Sequence, residues 1–456
     1  MVFSGIVFLY YFLPFVLLLY FFAPKRAKNA VLLLSSLLFY AWGEPRFLFL
    51  MVFTIAFGYL AGVWIEKEKA KENGTNWAKR ILVLSIVVFA GVFVYFKYTN
   101  FIIGNVNIVI PIGISFYTFQ IISYLVDVYR GTVKAQKNII ALALYIAMFP
   151  QLIAGPIVRY QDVEAQILER RHTWEDIRYG ITRFTIGLSK KVLIANELGR
   201  LCELYRQGTE PTILFTWLYA IAFMLHIYFD FSGYSDMAIG LGRIFGFTFP
   251  ENFNYPYIAG SITEFWRRWH MSLGTWFRDY VYIPLGGNRV SAAKWYRNIL
   301  IVWLFTGFWH GAEWTFAVWG LGFAVLLILE KNGLLTYLGK TGFLRHVYVL
   351  LLLLIGFVIF NADNMRVAMQ DIQNLFGFGG ISFFSKETGY YAKSFGLLIL
   401  IGMVGSTPIV ATLVQKAIKK FPVIAKGKVF VLLLLWILCT AYLVDGSFNP
   451  FLYFRF

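Results

Sequence analysis

Five histidines are the residues of this chain best suited to proton transfer near neutral pH, because free imidazole titrates in that range. His310 stands in the run Gly307-Phe308-Trp309-His310-Gly311, inside a long apolar stretch. An ionisable side chain at such depth marks a functional site by default, here a general base. The plainer alternative is a hydrogen-bonded histidine that seals a turn. His270 belongs to the stretch 262–280, where Phe265, Trp269, Leu273 and Trp276 recur on one helical face. Arg267, Arg268 and Arg278 add positive charge there. The pattern fits an interfacial amphipathic helix with its tryptophans at headgroup level. It equally fits a surface that receives the phosphates of a cytoplasmic donor, which makes Arg267, Arg268, Trp269 and Trp276 candidate binding residues. His226 precedes Asp230 at helical spacing, as a buried polar pair would. Asp230 and Asp236 flank Phe-Ser-Gly-Tyr-Ser near the inner end of an apolar run, where helix capping and interhelical hydrogen bonds are their simplest roles. His172 and His346 fall in basic loops and are expected to be solvated. Cys202 and Cys439 offer neither a disulfide framework nor metal-ligand spacing.

The elements that must position these groups are membrane helices. Hydrophobic residues make up 59 % of the chain and charged residues 14 %, against about 25 % charge in a soluble domain. Apolar runs near 20 residues recur throughout, each long enough to cross a hydrocarbon core. The first has no basic leader and is followed closely by another, so it reads as a span rather than a cleaved signal. Full spans are expected at 3–22, 29–43, 46–65, 80–98, 108–128, 179–198, 212–231, 347–361, 394–414 and 429–445. The net charge of +17 collects in loops on one side of this arrangement, as the positive-inside rule requires. No soluble basic domain exists to bind nucleic acid. Lys67, Lys69 and Lys71, Arg130 to Lys137, the 241–298 loop and Lys416 to Lys428 all share that side. Both termini are therefore expected outside and the 241–298 loop in the cytoplasm.

Two segments do not fit as single spans. Segment 299–330 has Arg297 before it and Lys331, Lys340 and Arg345 after it, so it must enter and leave on the cytoplasmic side. Its first leg, 299–309, would reach roughly 16 Å at 1.5 Å per residue, about half of the ~30 Å core. The turn at 307–311 is thus expected within the membrane, where irregular backbone survives only under cover of protein or water. Segment 138–157, with Pro150, Gly155 and Pro156, reads as a second re-entrant or tilted hairpin. The aromatic tail 448–456 is expected to tuck back into the protein or lie on the membrane rather than wave in water. A single domain, 1–456, is expected.

These residues together resemble the membrane-bound O-acyltransferase (MBOAT) family, in the branch of alginate O-acetylation, with similarity to peptidoglycan O-acetylation and teichoic-acid D-alanylation proteins. The resemblance rests on Pro150-Gln-Leu-Ile-Ala-Gly-Pro-Ile157, His226-Ile-Tyr-Phe-Asp-Phe-Ser-Gly-Tyr-Ser-Asp236, Phe265-Trp-Arg-Arg-Trp-His-Met-Ser-Leu273, Tyr282-Ile-Pro-Leu-Gly-Gly-Asn-Arg289 and Thr306-Gly-Phe-Trp-His-Gly311. It implies an all-α polytopic fold around a central funnel or tunnel. By that resemblance His310 is catalytic, His270 is a second polar position of the site, and Tyr453 in the tail is a candidate acyl relay. The implied donor is a thioester, acetyl-CoA or an acylated carrier protein, with no permanently bound cofactor. The implied acceptor is an extracytoplasmic polysaccharide, reached through an SGNH-type partner at the bacterial inner membrane. A D-alanyl or lipid-directed MBOAT remains an alternative, and a polytopic transporter is an alternative of another class.

Overall fold

Every regular element in the computed structural model is helical among the described residues, which are 2–104, 106–208 and 211–446. Tyr453 and the rest of the tail from 447 lie outside them. Helices occupy all ten stretches read as spans. Among the described residues six helices are long and apolar enough to cross a membrane, five of them in those stretches and the sixth at Trp314–Leu338, or seven if one bent pair counts as a span. Their surfaces expose large apolar side chains such as Phe22, Phe49, Leu397 and Phe430, each at least 70 % accessible. A surface of that kind belongs against lipid rather than water. The chain is a multi-pass membrane protein.

Boundaries move where polar groups find partners. The helix read as 212–231 runs over Ile213–Ile244. The aspartates that suggested its end are satisfied inside the protein: Asp230 pairs with Lys191 at 2.5 Å and Asp236 with Arg183 at 2.6 Å. The stretch 394–414 is not one straight span. Lys386–Gly405 and Ile409–Lys420 meet at a 68° bend, because Pro408 has no N–H to continue the ladder. His172 and His346 are half-buried and bonded rather than solvated. His172 Nε2 meets the Tyr20 hydroxyl at 3.0 Å, and His346 Nδ1 meets the Ala259 carbonyl at 3.1 Å.

The chain divides into two compact units, 1–184 with 234–251, and 185–233 with 252–456. In the first, segment 138–157 forms the short helices Ile139–Ala147 and Phe149–Leu152. Residues 141–154 are all buried, so the segment is an interior break rather than a span. Phe149 packs within 5.5–6.3 Å of Phe3, Phe8, Phe12 and Phe39, ring centre to ring centre.

The second unit holds five helices that matter below: α1 (Ile262–Arg268), α2 (Met271–Phe277), α3 (Ala292–His310), α4 (Trp314–Leu329) and α5 (Leu344–Asn361). Segment 299–330 is a helical hairpin as expected, with two corrections. Helix α3 starts seven residues before 299, so its 19 residues reach about 28 Å rather than 16 Å. The turn also begins at Gly311, after His310, because Gly307 is helical. Gly307 serves packing instead. A Cβ there would lie 2.4 Å from the Phe316 carbonyl, and one on Gly320 would lie 2.4 Å from that of Trp303. The two glycines let the hairpin backbones touch.

Gly307→Ala should therefore force α3 and α4 apart and cost about 1–3 kcal/mol, as overpacking does. Gly322→Ala, whose Cβ would meet nothing within 4 Å, should be neutral or slightly stabilising. Thermal melting of the detergent-solubilised variants checks the contrast.

Candidate active site

The stretch 262–280 is not one amphipathic helix. It breaks at His270, whose backbone is left-handed at φ 44°, ψ 52°. A non-glycine residue in that conformation costs roughly 1 kcal/mol or more and persists only where its surroundings hold it. The holding group is Asn252, fully buried. Its Oδ1 accepts from the Ser272 backbone N–H at 3.3 Å and from the Ser272 hydroxyl at 2.9 Å, and lies 3.1 Å from His270 Nδ1. The Ser272 N–H can only donate, so the atom facing it is the amide oxygen. His270 Nδ1 must then carry its proton and donate, which leaves the lone pair on Nε2. That atom is buried and has no hydrogen-bonding partner. Burial pushes the His270 imidazole down to about 3, so the ring is neutral.

The break also changes what the aromatic face does. Phe265, Trp269, Leu273 and Trp276 are each at most 5 % exposed, so they pack inside the protein rather than at a lipid interface. Phe231 stands edge-on to His270 at 4.6 Å.

His310 is the last residue of α3, half-buried among rings from three helices. Trp309, Trp319 of α4 and Phe360 of α5 lie 5.0, 5.3 and 5.2 Å from its ring. Trp309 also lies 5.9 Å from His270 and so neighbours both histidine rings.

Both histidines border one cavity of about 190 Å³. Trp266, Trp269, Leu273, Phe277 and Trp303 form its apolar wall, with Arg278, Tyr282 and Thr306 at polar positions. Among the described lining residues none is acidic. The residues singled out in the sequence divide accordingly. His270, His310 and Trp269 come together. Trp276 is buried but off the cavity wall, edge-on to Phe277 at 5.5 Å and tilted against Tyr280 at 5.3 Å. Arg267 is exposed and off the wall. Arg268 is bound to Glu264 at 2.9 Å and to the Asn254 carbonyl at 3.1 Å. The arginine on the wall is Arg278, which also pairs with Asp279 at 2.7 Å. His226 is off the wall as well; its Nδ1 meets the Ala195 carbonyl at 2.6 Å, while Asp230 pairs with Lys191. Asn252, Trp266 and Trp303 are not legible as site residues in the sequence, since Asn252 and Trp303 lie far along the chain from His270 and Trp266 sits one residue off the apparent face.

An all-helical membrane protein with an aromatic two-histidine cavity has the makings of an acyl-transfer enzyme, where water would hydrolyse the activated ester. The pattern described as MBOAT, membrane-bound O-acyltransferase family, matches residues 132–337, which include both histidines. A probable alginate O-acetylase AlgI of Azotobacter vinelandii is 45 % identical over 395 residues, 83 % of this chain and 79 % of that one. Its counterpart in Pseudomonas aeruginosa is 45 % identical over 83 % of this chain and 75 % of its own. A peptidoglycan O-acetyltransferase of Helicobacter pylori is 33 % identical over 450 residues, 86 % of this chain and 83 % of its own. The chain belongs to the membrane-bound O-acyltransferase family and is an O-acyltransferase. The transporter alternative falls with that.

The buried neutral His270 has a consequence for stability. Unfolding returns the ring to an ordinary imidazole near 6.5. Between about 3 and 6.5 the unfolded chain binds a proton that the folded chain refuses. Stability is thus complete above that window and falls as pH drops through it, by roughly 1 kcal/mol per pH unit from this group. Melting temperature should fall from pH 7 to pH 5, and His270→Gln should flatten that fall.

Proposed function

We propose that the cavity is the acyl-transfer site of an O-acetyltransferase for an extracytoplasmic polysaccharide, alginate-like or peptidoglycan. The observation that carries this is the convergence of His270 and His310, from separate helices, on one aromatic-walled cavity. The donor is a cytoplasmic thioester, acetyl-CoA or an acylated carrier protein, and Arg278 at the wall is suited to its anionic part. The protein lies in the bacterial inner membrane with both termini extracytoplasmic, following its basic loops. An extracytoplasmic SGNH-type partner completes delivery to the polymer. Acetyl is favoured over D-alanyl because no acidic side chain lines the described wall to meet a D-alanyl ammonium group.

The chemistry follows from the two rings. His310 is the general base. His270, fixed as the Nδ1–H tautomer by Asn252, offers only an acceptor on Nε2 and orients a hydroxyl rather than an oxyanion. Tyr453, outside the described residues, is the relay. His310 takes its phenolic proton as the oxygen attacks the thioester carbonyl. The C–S bond breaks, the thiolate recovers the proton from the imidazolium, and the acetyl group rests on tyrosine as a phenyl ester. Phenol titrates near 10 and thiol near 8.5, so the phenyl ester still acylates an alcohol, which is a poorer leaving group. Attack by an acceptor hydroxyl then releases the phenol.

His310→Ala should abolish acetylation of the envelope polymer, measured as alkali-released acetate, at unchanged protein abundance. Full acetylation in that variant would sink the proposal. Tyr453→Phe keeps the aromatic ring and removes the hydroxyl alone. It should cut acetylation at least 100-fold, and mass spectrometry of the wild-type carboxy-terminal peptide should find the acetyl group on Tyr453. Undiminished acetylation by Tyr453→Phe would leave the tail as an anchor.

A further inference from the structure

We propose that Glu330 is a positioning residue for the transfer site, holding Trp266, Trp269 and His270 against the cavity by closing the N-terminus of α1. The inference rests on the reading of that cavity as the site of acyl transfer. Glu330 is fully buried and lies directly after α4, the second leg of the His310 hairpin. Its Oε1 accepts from the Ile262 backbone N–H at 2.6 Å, and its Oε2 accepts from the Thr263 N–H at 2.8 Å and the Thr263 hydroxyl at 2.7 Å. The Tyr348 hydroxyl approaches Oε1 at 3.4 Å.

The four orphan N–H groups that begin any helix need partners. In α1 the ordinary helical ladder begins with Phe265 N–H on the Ser261 carbonyl at 2.9 Å, and the Ser261 hydroxyl serves Glu264 N–H at 3.0 Å. Glu330 serves the two N–H groups before it, those of Ile262 and Thr263, from 68 and 67 residues away. Its charge also faces the positive end of the helix dipole. A helix of seven residues has no stability of its own in isolation, so its place depends on its anchors. At its far end the Asn252 loop takes over: Asn254 N–H bonds the Arg268 carbonyl at 2.9 Å and Met271 N–H bonds the Asn252 carbonyl at 3.0 Å. Glu330 at one end and Asn252 at the other leave the segment carrying Trp266, Trp269 and His270 in one position. Because Glu330 extends from the His310 hairpin, one carboxylate fixes the distance between the two histidine-bearing elements.

Glu330→Gln separates this role from general support. An amide presents one acceptor where the site has two N–H donors and turns an NH2 group towards the other. The full chain is assayed in cells for polymer acetylation and in detergent for melting. In parallel, Leu273→Cys, at a cavity-wall position 4 % exposed, is alkylated with a maleimide with and without the Glu330→Gln substitution; both native cysteines are buried. Glu330→Gln should lower acetylation at least tenfold and speed alkylation at position 273 severalfold, with melting shifted by only a few degrees. Glu330→Asp, which keeps both acceptors on a shorter stem, should recover part of each. Unchanged alkylation, or full acetylation in Glu330→Gln, overturns the proposal. If Glu330→Gln yields no folded protein, the Glu330→Asp variant carries the same two readouts. His310→Ala run beside them separates the cases: full acetylation there defeats the functional reading, while the alkylation rates still report on Glu330.

Discussion

The carboxamide oxygen of Asn252 accepts from both the backbone and the hydroxyl of Ser272 and from His270 Nδ1, and the arrangement of the site depends on it. Those bonds stabilise a left-handed bend that the sequence would otherwise straighten. Without the bend, residues 262–277 would continue as one helix and His270 would follow its neighbours around the helix face. With it, α1 and α2 change direction at the histidine, and the ring enters an apolar cavity as a defined tautomer. A buried polar network of this kind is costly when half satisfied and specific when complete. Here one acceptor decides backbone direction, ring orientation and proton placement together.

The second constraint is close approach in the His310 hairpin. Helices separated by ordinary side chains lie about 8–10 Å apart, and glycine permits closer contact, as membrane helices often exploit. Gly307 and Gly320 remove the side chains that would hold α3 from α4. Trp319 of α4 can then reach His310 at the end of α3, and Phe360 closes the group from α5. On the proposed reading of the cavity as the acyl-transfer site, the aromatic shell does two jobs. It excludes water from the ester, and it leaves electrostatics to the few polar groups present, which act more strongly in a low dielectric.

Much of the site was legible in the sequence, for physical reasons that differ by residue. His310 stood out because an ionisable group amid apolar spans is expensive unless used. The hairpin followed from basic residues at both of its ends. Trp269 and His270 were visible as a pair. What misled was periodicity. Phe265, Trp269, Leu273 and Trp276 share a face only if the helix is continuous, and a bend held by a residue 18 positions upstream leaves no local signal. Similarly, the nearby arginines were visible as charge, but Arg268 is spent on Glu264 while Arg278 reaches the wall. The apparent end of the 212–231 span misled because ion pairs with Lys191 and Arg183 make its aspartates tolerable inside.

The sequence by itself determined that the chain threads a membrane and that its helices lie where the apolar runs lie, and it singled out His310 and His270 as candidate reactive groups. Composition and hydropathy are local properties, and lipid enforces them residue by residue. Only the tertiary structure decided which side chains meet. The tautomer of His270, the closeness of α3 to α4 and the capping of α1 by Glu330 each join residues distant in sequence. Such contacts depend on packing geometry and on the satisfaction of buried donors, neither of which leaves a periodic trace along the chain.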